Sequence, residues 1–373
     1  MSALMYPEVV DATTLGPRFS QTVFLPVAIE GQKDVGGTAA VANVVEVTTP
    51  AQADALFGAA SSLSALVKFV LGRGVPIVKA IASASAAPPT LPQRQTAWAI
   101  LESDPLVRIR LTDSVTQADH VALAASAVLA ELLYHKQVAF MGMAAGTTSA
   151  SLLTAATAIA SKRGVLVGPG VYDENGVLLS GALAAAAVAA EVAKNPDIVD
   201  DLDLFFLPGF TGIEKDAAGM PIFRKKVVAG VAVNDFEVLL TGGVSPLRTG
   251  RNGGLQITHL RMTYVTDTTY DALQTRLIVD QLFIDVRDYC EGNKFLRRGN
   301  TQKTRDDLKA GVEELLRDRS NWLLPKAQPD GTTGYMVAII PSADLRQVTI
   351  SYQGVVVRGI QKILVDAKLE IPV

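Results

Sequence analysis

The chain has a single cysteine, Cys290, among 373 residues. It can form no intramolecular disulfide, which excludes a disulfide-stapled secreted fold. Aromatic residues make up 6% of the sequence, so Ala, Val and Leu must fill the core that a 49% apolar fraction allows. Charged residues make up 19% and the formal net charge is −3. No basic excess points to nucleic acid, and no run of like charge points to a solvated tail. The opening MSALMYPEVVDATTLGPRFS lacks the basic start, apolar stretch and cleavage site of a signal peptide. The most apolar tract, VLLSGALAAAAVAAEVA at 177–193, is Ala-rich and carries Glu191. It is shorter than the ~20 residues of a membrane span and reads as a buried helix.

Motifs of catalysis and cofactor binding are also missing. No Gly-rich string is followed by the Lys and Ser/Thr of a phosphate loop. TGRNGGL at 249–255 is Gly-rich but is not the dinucleotide fingerprint, and reads as a surface loop. In LVGPG, Pro169 removes an amide that a phosphate cradle would use. There is no G-x-S-x-G elbow. His120, His135 and His259 are scattered, with no i, i+4 pair or Cys/His cluster to hold a metal, and each reads as a packed or surface residue. Cys290 at a helix end reads as a small core filler. DIVDDLD at 197–203 brings carboxylates together and is better explained by a solvated turn than by a Ca²⁺ site. No catalytic residue, metal ligand or cofactor is therefore assigned.

From residue 22 to 250 strands alternate with helices. TVFLPVAI, VPIVKAIA, VRIRL, QVAFMGMA, GVLVGPG and LDLFFLPGF read as strands. PAQADALFG, SALVKFVLGRG, QADHVALAASAVLAELLYH, TSASLLTAATAIAS and 180–194 read as helices, and SAAPPTLPQ as a Pro-rich loop or strand edge. Leu63, Leu66, Val67, Val70 and Leu71 share one helical face, Phe57 packs inside, and Gly72 and Gly74 turn the chain into the strand at 75–82. The pattern predicts an α/β layer fold whose mostly apolar strands are covered on both faces. After 250 the style changes. GLQITHLRMTYVT reads as a strand and 269–290 as a helix with Ile278, Leu282, Val286 and Tyr289 in a stripe. A capping-box-like start is expected at Thr268 and Asp271. The next helix turns Leu308, Val312, Leu315 and Leu316 inward and a dense mix of charge outward. β-like runs fill the remainder. The expected class is α/β in a central sheet domain and α+β overall. The expected parts are an extended arm at 1–21, the α/β core at 22–250, a C-terminal α+β domain at 251–345, and strands with an arm at 346–373.

The order of these segments resembles the contractile-tail sheath proteins of phages, and the related sheaths of pyocin-like particles and contractile injection systems. The stretch from LFG through an apolar helix to GRGVPIVKAIA is similar to that family's Phe-Gly, helix, Gly turn and strand. MYPEVV resembles the start of the sheath N-terminal arm, with Glu8 where Gly is common. VFLPVAIEGQKD, FEVLLTGGVSPLRTGRNGGLQITHLRMT and FLRRGNTQKTRDDLKAGVEELLRDRSNWLL resemble later sheath segments in the same order, Asn300 coming later than in the family pattern. The resemblance implies a structural, non-enzymatic subunit that polymerises as a helix of rings, with six-fold symmetry expected, around an inner tail tube. Contraction would drive the tube through a cell envelope, with baseplate and tail-terminator proteins as further partners. No nucleic acid or membrane insertion is implied, and assembly would take place in the cytoplasm of a bacterial host, ending in the tail of a particle. It also implies strands donated between neighbours. These are expected at Tyr6, Pro7, Val9 and Val10 in the N-terminal arm and at Ile363, Val365, Leu369 and Ile371 in the C-terminal one. The charged helix at 301–320 is the expected tube-facing element, through Lys303, Arg305, Lys309 and Arg317; a solvated face is the competing reading. An α/β hydrolase or transferase with a dispersed site, and another shell-forming protein, are the rival functions.

Overall fold

The structure is a computed structural model that describes residues 24–195, 202, 205–250, 253–266, 271–292, 300–319, 323–324, 326–327, 333–334, 336–341, 348–353 and 355–356. The chain opens with β1 (Val27–Lys33), β2 (Val44–Val47), α1 (Pro50–Phe57), α2 (Ser62–Gly72) and β3 (Val78–Ser85). It continues with α3 (Leu91–Glu102), β4 (Ile109–Thr112), α4 (Gln117–Leu132), β5 (Val138–Gly142), α5 (Ser149–Ile159) and β6 (Gly164–Gly168). Then come β7 (Val171–Asp173), β8 (Leu178–Leu179), α6 (Gly181–Lys194), β9 (Phe206–Leu207), β10 (Phe210–Ile213), β11 (Lys225–Val228) and β12 (Val231–Asn234). Helix α7 (Asp235–Thr241) leads to β13 (Val244–Thr249) and β14 (Leu255–Ile257). The last part holds α8 (Leu273–Gly292), α9 (Gln302–Asp318), β15 (Leu323–Leu324), β16 (Lys326–Ala327), β17 (Thr333–Gly334), β18 (Met336–Pro341), β19 (Val348–Gln353) and β20 (Val355–Val356).

Nine strands form one sheet in the order β2-β3-β1-β4-β5-β6-β13-β14-β9. β3, β1, β4, β5, β6 and β13 run parallel, while β2, β14 and β9 add antiparallel edges. Helices α1, α2 and α6 cover one face, and α3, α4, α5 and α7 the other. The mixed α/β class expected from the alternating pattern is what the chain adopts. Pairing between β13 and β14, from Leu247–Ile257 to Thr249–Leu255, crosses the expected boundary at 250/251. The body's hydrophobic core reaches Leu273 and Leu277 at the start of α8, and a second core begins at Ile278.

Local chemistry accounts for the opening helices. Thr49 accepts from the Gln52 amide at 3.2 Å and Gln52 Oε1 accepts from the Thr49 amide at 3.3 Å, with Pro50 in the first turn of α1. Phe57, Leu63, Leu66, Val67 and Val70 are buried as the apolar period predicts. Gly72 is still helical, so the turn falls on Gly74, whose φ of +90° suits a residue without Cβ. The Pro-rich stretch is irregular over 86–90, as expected, but its last three residues, 91–93, already belong to a helix. Gln93 Oε1 accepts from the Thr90 amide at 2.8 Å, and Pro92 sits in the first turn of α3, where no helical amide partner is needed.

VRIRL forms a strand as expected, and all four residues of β4 are buried, as in a sheet covered on both faces, although the run carries two arginines. Ile109 and Leu111 pack in the body's main core. Arg110 bonds Ser126 Oγ at 2.8 Å, Gln137 Oε1 at 3.3 Å and the Trp98 carbonyl at 3.3 Å. Burial pushes the Arg110 guanidinium down to about 10.

Candidate functional site

The chain passes from β1 to β3 on one side and returns to β4 on the other, so the carboxyl ends of β1 and β4 flank a topological switch point. Open α/β sheets commonly bind ligands in such a crevice. Here the polar side chains bond one another. Arg94 Nη1 donates to both Glu30 oxygens at 2.8 Å, to Asp113 Oδ1 at 2.7 Å and to Thr112 Oγ1 at 3.1 Å. Thr112 donates to Glu30 at 2.8 Å, Ser83 donates to it as well, and Arg94 Nε lies 3.2 Å from Asp119. Glu30 has no solvent exposure. Burial raises its carboxyl pKa despite the Arg94 charge, and Asp113 adds to the rise. The crevice is filled by a cation and the three carboxylates it holds, none of which stands in a catalytic or binding motif. The available signal was a charge inside an otherwise apolar strand, VAIEG.

The opposite, amino-terminal edge of the sheet carries a second ion cluster, which seats α8. Arg163, fully buried at the start of β6, grips Asp280 of α8 with two nitrogens, Nη2 to Oδ1 at 3.0 Å. It also donates to Glu131 at 3.1 and 2.6 Å. Burial alone would raise the Glu131 carboxyl, but the hydrogen bonds and charge of Arg163 outweigh it and hold the group at about 2. Arg319 pairs with Asp285 at 2.7 Å, and Tyr134 stacks on Phe283 at 6.1 Å between centroids. Buried charge pairs of this kind specify one arrangement, and breaking one partner is costly.

Beyond this joint the second core is small: Ile278, Leu282, Val286, Leu308, Val312, Leu315, Leu316 and Val337 are buried there. The stripes expected on α8 and α9 are therefore the ones that pack. At Gly311 a Cβ would come within 1.7 Å of the Tyr289 hydroxyl, so only glycine admits this contact between the two helices. β18 and β19 form a two-stranded antiparallel sheet. Val337, Ile339, Ile350 and Tyr352 face the helices, and Ile340 on the other side is 55% exposed. Among the described residues neither β18 nor β19 has a second neighbour strand.

The expected site residues divide in two. Tyr6, Pro7, Val9, Val10, Ile363, Val365, Leu369 and Ile371 lie outside the described residues, as do the carboxylates of 197, 200, 201 and 203 and the expected cap at Thr268. Lys303, Arg305, Lys309 and Arg317 all lie on α9, away from its buried face. Arg305 is engaged locally, donating to Asn300 Oδ1 at 2.7 Å and Gln302 Oε1 at 2.8 Å. Lys309 lies 3.8 Å from Glu313. The helix holds five carboxylates against four cations, so its outer face is mixed rather than basic. Among the histidines, buried His120 contacts the Ser114 carbonyl at 3.0 Å and His135 the Glu102 carbonyl at 2.7 Å. Among the described residues no group of three or more His, Cys, Asp or Glu is placed to hold a metal, and no helix is long and apolar enough to cross a membrane. Cys290 is half-buried, and burial with Glu291 nearby pushes its thiol up to about 11.

No family model matches the chain, and no curated protein matches it in sequence. Solved structures do match it in three dimensions. A chain from the baseplate of the anti-feeding prophage is 11% identical with a TM-score of 0.69, over 100% of both chains. One from the contracted helical sheath of the same particle is 13% identical with a TM-score of 0.65, over 98% of this chain and 99% of that one. The sheath tail protein of Desulfitobacterium hafniense is 12% identical with a TM-score of 0.61, over 94% and 100%. The chain thus has the fold of contractile-tail sheath proteins, over essentially its whole length. The fold expected from the order of its sequence segments is the fold it has.

Proposed function

We propose that this chain is the structural subunit of a contractile sheath, polymerising around an inner tube and shortening to drive that tube through a target envelope. The observation that carries this reading is the end-to-end match to sheath proteins, with neither chain leaving a sizeable part uncovered. The open-edged β18–β19 sheet supports it. A two-stranded sheet is marginal alone, and a strand from a neighbour would complete its backbone bonding. At ~1 kcal/mol net per hydrogen bond, about six such bonds would offset part of the ordering cost of an arm. The arms proposed for this role are Tyr6–Val10 and Ile363–Val373. Such links keep subunits connected while whole bodies rotate, so an assembled metastable state can supply the work without a nucleotide.

Helix α9 is the proposed tube-facing element. Lys303 and Arg317 extend from its solvent side and make no ion pair among the described residues. An attraction of this kind weakens as salt screens it. The inner tube, baseplate and tail terminator are the proposed partners, and a bacterial cytoplasm the proposed site of assembly. Electron microscopy of the concentrated protein tests the reading. Hollow tubes are expected, and deletion of 1–20 or 360–373 should abolish them. A persistent monomer, or lattices without a tube-sized lumen, would contradict it. Co-sedimentation of Lys303→Glu/Arg305→Glu with the tube protein tests the role of α9, and unchanged binding would remove it from the proposal.

A further inference from the structure

Helices α3, α4 and α5 form a side-by-side layer over the sheet, and their charge is arranged inside out. Over 12, 16 and 11 residues they carry four ionised side chains: Arg94, Glu102, Asp119 and Glu131. Arg94 and Asp119 are buried, Glu102 and Glu131 are partly buried, and each is engaged within the body. Arg94 holds Glu30, Asp113 and Asp119, Glu102 accepts from Ser126, and Glu131 pairs with Arg163. The outward positions are uncharged. On α4 they are aliphatic, with Val128 40%, Leu129 50% and Leu132 71% exposed. Ala99, Ala125 and Ala158 continue the surface on and beside this ridge. A helix on a soluble protein normally turns its charge to water and its apolar stripe to the core; α4 buries Asp119 and His120 and exposes Leu129 and Leu132.

We infer that the outer face of the α3–α4–α5 layer is a contact surface for a second copy of this chain. The inference rests on the sheath reading above and adds to it a surface apart from the arms, β18–β19 and α9. Size and chemistry both select a copy in an assembly. Three helices of this length present roughly 500 Å², short of the ~800 Å² per partner that a stable free pair buries. Such a face does not hold two free molecules together. It matters where other links already keep copies close and raise the effective concentration. Depletion of charge is the mark of an interface core. A strongly charged partner would lose its hydration here and meet no counter-charge.

The test uses the full chain. In a Cys290→Ala background, Ala125→Cys is labelled with a benzophenone maleimide and irradiated in an equal mixture of unlabelled and ¹⁵N-labelled protein under tube-forming conditions. Crosslinked peptides joining the two isotopes are expected. In parallel, Leu129→Glu/Leu132→Glu is expected to raise the concentration needed for tubes at least tenfold while its melting curve stays that of the parent. Leu129→Met is expected to assemble normally. Crosslinks only within single chains would mean that the chain's own segments cover the face, and would overturn the inference. So would tubes formed by the double Glu variant at the parental concentration. If the parent forms no tubes, the sheath reading fails and this inference falls with it; equal tubes from parent and variant overturn the inference alone.

Discussion

The α/β body and the region beyond the α8 joint solve the same problem differently. The body closes on itself. Its strands are covered on both faces, and its crevice is filled by Arg94 with Glu30, Asp113 and Asp119. The second region packs α8, α9 and the β18–β19 hairpin around a small core, and its hairpin leaves both edges without a partner among the described residues. A two-stranded sheet on two helices gains little from its own burial and gains more if a neighbour adds strands. The difference teaches where such a protein can put its function. In the proposed sheath, the self-satisfied body is the part suited to carry force, and the region with open strand edges the part suited to join copies.

Breaking the joint between the two regions should have the largest effect. Arg163→Met leaves Asp280 buried without its cation and is expected to cost about 3–5 kcal/mol in urea unfolding. Arg163→Met/Asp280→Leu is expected to recover part of that loss, because it removes the stranded carboxylate while taking from buried Arg108 the charge that faces it. If the single variant lost less than ~1 kcal/mol, the joint would not hold α8 as described.

A smaller effect, confined to the second region, is expected from Gly311→Val. The new side chain meets the Tyr289 hydroxyl, and overpacking of this kind costs about 1–3 kcal/mol. Amide exchange should rise in α8 and α9 while β1, β4 and β5 keep their protection. An equal rise in both regions would mean that they unfold as one unit.

The pH dependence of the joint sharpens the comparison further. Glu131 sits at about 2 in the folded protein, below the usual carboxylate range. The unfolded chain therefore binds the proton more readily. The stabilisation is fully present above the ordinary carboxylate pKa and is lost as pH falls towards 2. For a carboxylate still one-third exposed, at 34%, screening limits it to about 1 kcal/mol. Glu131→Gln should flatten the fall in stability between roughly pH 4.5 and 2 and change stability little in the steepness of its response below that window. An unaltered pH profile would show that Arg163 draws its hold on α8 from Asp280 alone. The smallest effect belongs to Lys303→Glu on α9, where a surface change should stay within about 0.5 kcal/mol on thermal melting. A larger loss would mean that Lys303 is part of the second core's support and not free to meet a partner.

Local periodicity made much of this legible. The burial of Phe57 and of Leu63, Leu66, Val67 and Val70 followed from spacing, as did the inward stripe of Leu308, Val312, Leu315 and Leu316. The order of those segments carried the sheath fold. Long-range charge pairing was not legible. Arg94 and Glu30 are 64 positions apart and Arg163 and Asp280 are 117 apart, and nothing local marks either as a partner. For the same reason nothing in VRIRL names the partners of its enclosed arginines, such as Ser126 and Gln137 for Arg110. Prolines concealed the start of α3, because the first helical turn tolerates what the interior does not. At the proposed site, the position of the four α9 cations on the outer face could be read from spacing. Their engagement could not, since the bond from Arg305 to Asn300 depends on how the chain enters the helix.

The most direct test of an incomplete second region is amide hydrogen exchange at Val337–Ile340 and Val348–Tyr352, compared between dispersed subunits and assembled tubes. The expected result is rapid exchange in the free subunit and at least ~100-fold protection in the tube, with β1, β4, β5 and β6 equally protected in both. Equal protection of the hairpin in the two states would contradict the account, because the β18–β19 sheet would then be complete without a neighbour.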